Sequence, residues 1–329
     1  MKVLVTGSDG FIGSHLVEEL VMNGLEVKAL SLYNSFHTRG WLDTLDKKII
    51  DSIEIVSGDI RDPFLVESIS KKQDAIIHLA ALIAIPYSYR SPKSYLDTNI
   101  NGAINILEAA RKNNIKKTLI TSTSEVYGSA QKIPITEEHP LSAQSPYAAT
   151  KIASDQLALS YYRSFNLPVS VIRPFNTFGP RQSLRAVIPS IILQIINNKK
   201  IEAGNLYPTR DFTYVKDICK AFILALKKNI DGEVINLGSQ FEISIQETIQ
   251  EILKISGSKK KVLKNRERER LKTSEVNRLY SDSSKAKKLL GWQPEHKGKS
   301  GFIKNLKKTY EWFVENKNLY KNLFNENIL

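Results

Sequence analysis

A tyrosine and a lysine, Tyr147 and Lys151, stand four residues apart in SPYAATK (145–151). This spacing puts both side chains on one face of a predicted helix, and an ammonium beside a phenol lowers the pKa of the phenol. Tyrosine then becomes usable as a general base. Glu125, in TSTSEVYG (121–128), follows an apolar strand, where a carboxylate loses hydration unless it has a partner or a task. The two stretches together predict acid–base chemistry.

A glycine-rich loop follows the first predicted strand. In TGSDGFIGSHLVEEL (6–20), Gly7, Gly10 and Gly13 lie between that strand and a helix. Glycines there allow a tight turn, a close approach of pyrophosphate to the backbone, and packing of the helix on the strand. The spacing is G-x-x-G-x-x-G rather than G-x-G-x-x-G, but the strand–loop–helix context favours a dinucleotide site over a simple turn.

The end of the second predicted strand lacks the acidic residue that would hold the ribose hydroxyls of NAD. LSLYNSF (30–36) offers Ser31, Tyr33 and Asn34 instead, and Arg39 is the nearest cation for a 2′-phosphate. The choice between NAD and NADP stays open, with NAD ahead because no basic pair stands at the strand end.

The elements that must position these residues alternate between β-branched runs and amphipathic helical patterns. This alternation predicts an α/β protein with a Rossmann-type doubly wound parallel sheet. After residue 174, shorter elements predict a smaller α/β C-terminal substrate domain that returns once to the sheet. The predicted dinucleotide-binding domain is 1–173 plus about 211–240, and the nucleotide-sugar domain is 174–210 and 241–329. The predicted strands are 2–7, 26–31, 53–59, 75–80, 117–122, 169–174 and 233–238, and two late helical patterns are 244–256 and 301–315.

Composition narrows the classes of protein. The single cysteine, Cys219, excludes an internal disulfide, Met1 runs straight into an apolar strand without a signal peptide, and no apolar run is long enough to cross a membrane. These features predict a cytoplasmic protein. The net charge of +13 is spread along the chain, and its densest run, 259–270, lacks aromatic residues. We interpret that run as a solvated loop, and predict no nucleic-acid, membrane or metal partner.

In combination, the motifs resemble the extended short-chain dehydrogenase/reductases that act on nucleotide sugars. The chain is most similar to NAD-dependent 4,6-dehydratases, closest to the type serving legionaminic-acid biosynthesis, because of YNSFHTRGWLD (33–43), LAALIAIPYSY (79–89) and RPFNTFGPRQSLRAVIP (173–189). The family resemblance covers nearly the whole chain and rests on TGSDGFIG (6–13), HLAA (78–81), TNINGAINILEAAR (98–111), TSTSEVYG (121–128), YAATK (147–151), RPFNTFGPRQ (173–182), TRDFTYVKD (209–217) and LLGW (289–292).

The resemblance implies an elimination through transient oxidation. Tyr147 would take the proton of the sugar C4 hydroxyl, with Thr123 in the Ser/Thr role, while C4 gives hydride to the nicotinamide. Glu125 would remove the C5 proton, water would leave C6, and the hydride would return there. The dTDP-glucose dehydratases have Thr-Asp-Glu, whose aspartate protonates the departing hydroxyl. This chain has Thr123-Ser124-Glu125, so Ser124 or protonated Glu125 would have to assist.

The resemblance also implies binding residues. Asp59 and Ile60 are candidates for the adenine pocket, although Asp59 is equally interpreted as a helix N-cap, and His78 is interpreted as structural. Pro86 and Tyr87 would line the sugar pocket, and guanidinium forks suit the diphosphate. The cofactor candidates are Gly7, Gly10, Phe11, Ile12, Gly13, Asp59, Ile60, Leu79, Ala80, Ala81, Asn99, Tyr147 and Lys151. The substrate candidates are Pro86, Asn176, Arg185, Arg210 and Arg278, with Arg185 equally interpreted as a surface helix arginine.

Alternative functions stay open. Thr-Ser-Glu is also similar to UDP-glucuronate decarboxylases, whose carboxylate-binding arginine would fall near Leu279, and Arg278 is one position away. A 4-epimerase of the same family is a further alternative, and a non-catalytic cofactor-sensing protein is a remote one. The family resemblance also implies a homodimer formed through the helical patterns 98–112 and 147–165.

Overall fold

The computed structural model describes residues 1–197, 200–269 and 271–323. Within these ranges the chain forms a seven-stranded parallel sheet of order β10-β6-β5-β4-β1-β2-β3, with a three-stranded sheet, β11-β9-β7, and a two-stranded sheet, β12-β8. The strands are β1 (Lys2–Thr6), β2 (Glu26–Leu32), β3 (Glu54–Gly58), β4 (Ala75–His78), β5 (Lys117–Thr121), β6 (Val169–Pro174), β7 (Asn176–Phe178), β8 (Ile201–Ala203), β9 (Thr209–Tyr214), β10 (Val234–Leu237), β11 (Glu242–Ser244) and β12 (Val262–Lys264).

The helices cover both faces of the large sheet. A π-helical turn, Leu96–Asn101, precedes α6, and short 3-10 turns include Gly40–Thr44 and Ser124–Tyr127. The α-helices are α1 (Phe11–Met22), α2 (Lys47–Asp51), α3 (Pro63–Ser70), α4 (Ile85–Arg90), α5 (Pro92–Tyr95), α6 (Gly102–Lys112), α7 (Pro146–Phe165), α8 (Val187–Asn197), α9 (Val215–Lys227), α10 (Ile245–Ser256), α11 (Ser284–Leu290) and α12 (Gly298–Glu315).

Local sequence explains where the key helix α7 begins and ends. Ser145 accepts a hydrogen bond from the Ala148 amide as the N-cap, and Pro146 occupies the first turn, where its missing N–H costs nothing. The helix ends at Asn166, which adopts the left-handed conformation that asparagine tolerates. These caps fix the register that places Tyr147 and Lys151 on the buried face.

The strand order confirms the predicted Rossmann-type sheet. β1 pairs with β2 on one side and with β4 on the other, so the order reverses at β1. β10 pairs in parallel with β6, and is the predicted return of the chain to the sheet. Ligands of such sheets bind in the crevice at the carboxyl ends of the strands, where the order reverses.

The smaller sheets involve the second half of the chain. The basic run that we interpreted as a solvated loop instead contributes β12, which pairs with β8, so that interpretation was wrong for Val262–Lys264. Arg270, at the end of the run, lies outside the described residues. Burial of apolar side chains explains the pairing, because Ile201 of β8, which lies opposite Val262 of β12, is fully buried.

The hydrophobic core is shared by both halves of the chain. One cluster joins Val3 and Val5 of β1 to Phe212 of β9 and Phe313 of α12. A second cluster, with Leu4 of β1 among its members, lies on the other face of the large sheet. The proposed domain division therefore describes chain topology, with continuous packing across it. Among the described helices, none combines the length and the apolar character that crossing a membrane requires.

Candidate active site

The glycine-rich loop packs against the carboxyl ends of β1 and β4. Gly7 has φ +66°, and a Cβ there would lie 2.7 Å from the backbone nitrogen of Ala80. A Cβ on Gly13 would lie 2.0 Å from the carbonyl oxygen of Gly7. Because real Cβ atoms do not approach backbone so closely, only glycine fits both positions. The loop is thus held tightly in the crevice where the strand order reverses.

Gly10 differs from those two glycines because it faces open space. It is exposed, and a Cβ there would meet only the carbonyl oxygen of Gly7, at 3.3 Å. Gly10 is also the N-cap of α1 and supplies no side-chain hydrogen bond. The first N–H groups of a helix lack intrahelical partners and attract anions. Gly10, Phe11 and Ile12 therefore fit a dinucleotide pyrophosphate.

The side chains predicted at the end of β2 are committed to local contacts. The amide group of Asn34 donates to the carbonyl oxygens of Leu32 and Thr38, at 3.2 and 2.8 Å. The guanidinium of Arg39 donates to Asp43 at 2.7 Å. Ser31 is fully buried, and Tyr33 is exposed. The cation predicted for a 2′-phosphate thus already has a carboxylate partner.

Asp9, which the sequence analysis did not consider, reaches the end of β2. Its Oδ2 accepts a hydrogen bond from the Leu32 amide at 3.2 Å, although 23 positions separate the two residues. Burial raises the pKa of the Asp9 carboxyl, while this hydrogen bond lowers it. The clue in the sequence was an acidic residue inside the glycine loop, a position we interpreted only through its glycines.

The two residues predicted for the adenine pocket, Asp59 and Ile60, lie in different environments. Asp59 does not cap α3, because Asp62 accepts from the Phe64 amide and is the N-cap, so that interpretation was wrong. Asp59 instead pairs with Arg61, whose Nε lies 2.9 Å from Oδ1. Ile60 is buried, and its side chain packs against Gly102. The adenine role of Asp59 and Ile60 stays a prediction.

Asn99 holds the segment after β4 in place. Its Oδ1 accepts from the Leu82 amide at 2.9 Å, and its Nδ2 donates to the Leu82 carbonyl and to Thr150 Oγ1, both at 3.0 Å. These bonds position Leu79, Ala80 and Ala81 beside the glycine loop. The side-chain groups of Asn99 already have protein partners. Asn99 is therefore suited to position the segment 79–81 for a cofactor rather than to bind the cofactor directly.

His78 has the structural role that we expected. It lies at the end of β4, and its Nδ1 is 2.8 Å from Thr6 Oγ1. Burial lowers the pKa of His78 to about 3, so the ring is neutral at physiological pH. The pair joins the carboxyl ends of β1 and β4.

The loop after β5 forms a buried 3-10 turn with Glu125 inside it. Thr123 is its N-cap, and its Oγ1 accepts from the Glu125 amide at 3.2 Å. Ser124 and Glu125 are 2% and 8% exposed, so both polar side chains are held away from bulk water. Gly128, with φ +64°, ends the turn. A carboxylate at this depth is consistent with the functional task predicted for it.

Tyr147 lies against this turn. Its hydroxyl is hydrogen-bonded to Thr123, and the Glu125 carboxylate is close enough to raise the pKa of Tyr147. Burial is the largest cause of that raised pKa. The structure therefore brings the partly buried Thr123 together with the buried Glu125 and Tyr147, and their catalytic roles stay predictions.

The pKa of Tyr147 is raised in this arrangement rather than lowered, because burial outweighs the hydrogen bond to Thr123, which lowers it. The Nζ of Lys151 donates to the carbonyl oxygen of Thr121 at 2.6 Å, and burial lowers the pKa of the ammonium to about 8. The effect of Lys151 on the tyrosine stays a prediction. The lysine shares a helix face with the tyrosine, but its hydrogen bond goes to the end of β5.

A buried ion pair between Asp155 and Arg173 lies near Lys151. Asp155, one helical turn further along α7, accepts from Arg173 Nε at 3.0 Å and from Ser122 Oγ at 2.8 Å. Arg173 also donates to the Tyr127 hydroxyl at 2.8 Å. The Asp155 carboxylate raises the pKa of Lys151, opposing the effect of burial. Asp155 therefore acts on the lysine through charge.

Aromatic side chains extend from Tyr147 toward the predicted sugar pocket. Tyr95 lies edge-on to Tyr147, with ring centroids 6.3 Å apart, and Tyr87 lies 6.2 Å from Tyr95. Pro86 sits beside Tyr87 in the first turn of α4. Tyr87 remains partly exposed, so the end of this row away from Tyr147 is open to solvent.

Two further residues predicted to bind substrate, Asn176 and Arg185, lie in different environments. Asn176 Oδ1 is buried and has no hydrogen-bond partner among residues 1–197, 200–269 and 271–323, which makes it a candidate to bind a ligand. Arg185 lies in the exposed loop before α8, so the surface-helix interpretation was wrong. Its charge lowers the pKa of Tyr95, which burial raises to about 12.

The other two predicted arginines already have carboxylate partners. Arg210 is buried and pairs with Glu275 at 3.3 Å, so a phosphate would have to share this guanidinium. The Nε of Arg278 lies 2.8 Å from Glu242 Oε2, and Arg278 is exposed while its neighbour Leu279 is fully buried. Neighbouring residues in extended chain point to opposite sides, so Arg278 and Leu279 face different environments. The substrate role of Arg278 stays a prediction.

Comparisons with known proteins agree with this geometry. Residues 4–304 match the family described as GDP-mannose 4,6 dehydratase. A putative UDP-glucose 4-epimerase from Methanocaldococcus jannaschii is 35% identical over 95% of this chain and 99% of its own length. The human dTDP-D-glucose 4,6-dehydratase is 30% identical over 98% of this chain and 92% of its own.

A solved structure shares the whole architecture. A double mutant of the dTDP-glucose 4,6-dehydratase DesIV from Streptomyces venezuelae, with NAD and DAU bound, matches with a TM-score of 0.90 and 29% identity. The match covers 98% of this chain and 100% of that one. The chain therefore belongs to the extended short-chain dehydrogenase/reductase family of nucleotide-sugar 4,6-dehydratases and 4-epimerases.

Proposed function

We propose that this family member is a nucleotide-sugar 4,6-dehydratase that converts a UDP- or GDP-linked hexose to its 4-keto-6-deoxy form. The observation that carries the proposal is the buried Glu125 carboxylate, close enough to Tyr147 to raise the pKa of its phenol. A 4-epimerase moves hydride at C4 and needs no second base, whereas elimination of water across C5 and C6 does. A carboxylate beside the C4 base is suited to that second step.

The side chains around Tyr147 divide the proton transfers. Tyr147 accepts the proton of the C4 hydroxyl, and Thr123, hydrogen-bonded to it, orients that hydroxyl. Glu125 removes the C5 proton, which a ketone at C4 makes acidic. Ser124, or Glu125 once it is protonated, assists the hydroxyl that leaves C6 as water. When hydride is returned to C6, C5 takes up a proton from solvent, and this balances the proton that Tyr147 took from the C4 hydroxyl. Lys151 supplies a positive charge that favours the tyrosinate.

The cofactor of this proposal is NAD. Bound NAD would supply a hydride acceptor for C4 and the same hydride for C6. The open helix N-terminus at Gly10, Phe11 and Ile12 fits its pyrophosphate. The solved DesIV structure carries NAD, which supports the same assignment in this chain.

The substrate would lie along the aromatic row. Pro86 and Tyr87 contact the sugar, Asn176 offers its unpartnered carbonyl oxygen, and Arg185 meets the diphosphate. Arg210 joins by sharing its guanidinium with Glu275. We favour N-acetylglucosamine as the hexose, because of the resemblance to dehydratases of legionaminic-acid biosynthesis.

A 4-epimerase is the second candidate, and the 35% identical epimerase relative supports it. A UDP-glucuronate decarboxylase is less favoured, because Arg278 pairs with Glu242 and the inward-facing neighbour is the apolar Leu279. A non-catalytic cofactor sensor has no use for the Thr123–Tyr147 hydrogen bond beside a buried carboxylate.

The mass of the product tests the proposal. We would incubate the purified protein with UDP-N-acetylglucosamine, GDP-N-acetylglucosamine and UDP-glucuronate in separate reactions. We expect loss of one water from a hexose substrate. Loss of carbon dioxide from the glucuronate would indicate the decarboxylase, and an unchanged mass with inverted C4 would indicate the epimerase. Tyr147→Phe is the control and should form no product.

A further inference from the structure

The end of β2 lacks an acid of its own, yet a carboxylate is present there. Asp9 lies two positions after Gly7 in the glycine loop, and its Oδ2 accepts from the amide of Leu32, the last residue of β2, at 3.2 Å. In Rossmann-type folds, an acid at this strand end binds the adenosine ribose hydroxyls of NAD. The glycine loop thus delivers a carboxylate to the location where the strand supplies none.

The backbone around Asp9 holds it there. Its carbonyl oxygen accepts from the Trp41 amide at 3.0 Å. Gly40 packs so closely that a Cβ on it would lie 2.6 Å from the same oxygen. Two separate segments, the end of β2 and the 3-10 turn Gly40–Thr44, therefore fix the position of this aspartate.

The nearest cation, Arg39, is poorly placed to attract the 2′-phosphate of NADP. Both the backbone amide and Nε of Arg39 donate to Asp43, each at 2.7 Å, so its charge is balanced locally. A 2′-phosphate carries roughly two negative charges at neutral pH. It would be repelled by the Asp9 carboxylate, and the guanidinium of Arg39 is already paired with Asp43.

We infer that Asp9 binds the adenosine ribose hydroxyls and makes this protein selective for NAD over NADP. This inference rests on the proposed dinucleotide-dependent function. A carboxylate accepts up to about four hydrogen bonds, so the ribose hydroxyls can bind beside the Leu32 amide. Asp9 therefore takes the place of the missing β2 acid.

Direct binding of the two dinucleotides tests the inference without using activity. We would measure the affinity for NAD and for NADP by isothermal titration calorimetry, after removing retained nucleotide. The parent protein should bind NAD at least about tenfold more tightly than NADP, and Asp9→Asn should weaken NAD about tenfold or more, since a charge-assisted hydrogen bond is lost. The ratio of the two affinities should approach one.

Matched variants separate this role from structural damage. Asp51→Asn removes an exposed carboxylate that pairs with Lys47 and should leave both affinities unchanged. Asp43→Asn releases Arg39 and should strengthen NADP binding while NAD binding stays the same. Asp9→Ser, which retains a hydrogen-bond acceptor without charge, replaces Asp9→Asn if that variant does not fold.

The outcomes distinguish this inference from the proposed function. An unchanged affinity ratio in a folded Asp9 variant, or a parent protein that prefers NADP, overturns the assignment to Asp9 and leaves the dehydratase proposal standing. A parent protein that binds neither dinucleotide overturns both.

Discussion

At the residue scale, burial and nearby charges have opposite effects on the protonation states of Tyr147 and Lys151. Burial raises the pKa of Tyr147 and lowers that of Lys151 to about 8, so both effects favour the neutral forms. The hydrogen bond from Thr123 opposes the first effect, and the charge of Asp155 opposes the second. The proposed chemistry requires Lys151 to keep its charge, because an ammonium near a phenol favours the tyrosinate.

The alkaline limb of the pH–rate profile should report Lys151. We expect activity to fall as pH rises through about 8, where the ammonium loses its proton. Asp155→Asn removes the negative charge that raises the pKa of Lys151. The neutral amine of Lys151 is then favoured, so the alkaline limb should move to lower pH. Measuring kcat against pH for the parent, Asp155→Asn and Asp155→Glu checks this, because the glutamate should restore the limb.

Stability must be controlled in that experiment. Removing one partner of a buried ion pair costs about 3–5 kcal/mol, since Arg173 is left unbalanced. The double variant Asp155→Asn/Arg173→Met removes both charges and should be more stable than the single variant, with its limb displaced in the same direction. A limb that stays in place in both variants would show that Asp155 serves only packing.

At the element scale, α7 carries the tyrosine, the lysine and the aspartate on successive turns of one buried face. Its N-cap, Ser145, lies two positions before Tyr147 and accepts from the Ala148 amide at 3.1 Å. Loss of an N-cap costs roughly 1 kcal/mol. Fraying of this first turn would also displace the Tyr147 hydroxyl from Thr123.

Ser145→Ala should therefore lower both stability and kcat. Ser244→Ala is the matched control, because Ser244 caps α10 in the same way through Glu247, away from Tyr147. Both variants should lower the unfolding midpoint by a similar amount, but only Ser145→Ala should lower kcat. If Ser145→Ala and Ser244→Ala lose the same stability and have equal kcat values, the cap does not position the tyrosine.

The strands of the sheet and the shared helix face of the candidate catalytic residues were predictable because their signals are local. Apolar runs give the strands, and the four-residue spacing of Tyr147 and Lys151 gives their shared helix face. Contacts between distant positions were not predictable: Arg210 and Glu275 lie 65 positions apart, and Asp9 meets Leu32 across 23. The same limit explains why the raised pKa of Tyr147 was not predicted, since burial depends on the complete fold.

At the scale of the whole molecule, an apolar stripe remains outside the core. Leu96, Ile100 and Ile104 recur every four positions before and within α6, keep some exposure, and belong to none of the hydrophobic clusters of the described residues. The family resemblance predicts a homodimer through this region and α7. The stripe supplies apolar surface for such an interface.

Ile104→Arg should convert the protein from dimer to monomer, because an interface that buries this position would bury an unpaired charge. Size-exclusion chromatography with light scattering gives the mass of each species. Met22→Arg is the control, since Met22 is the exposed last residue of α1, and its variant should remain dimeric. A parent protein that is monomeric at micromolar concentration would contradict the homodimer.

Solvent exchange at C5 is the most direct test of whether Glu125 removes the C5 proton of a nucleotide-linked sugar. We would run the reaction in deuterium oxide with the parent protein, Glu125→Gln and the exposed control Glu138→Gln, and follow C5 by NMR and the reduced nicotinamide by absorbance. We expect deuterium at C5 of the product for the parent and the control. For Glu125→Gln we expect oxidation at C4 without exchange at C5 and without product. Deuterium at C5 and product release at the parental rate in Glu125→Gln would contradict this role of Glu125.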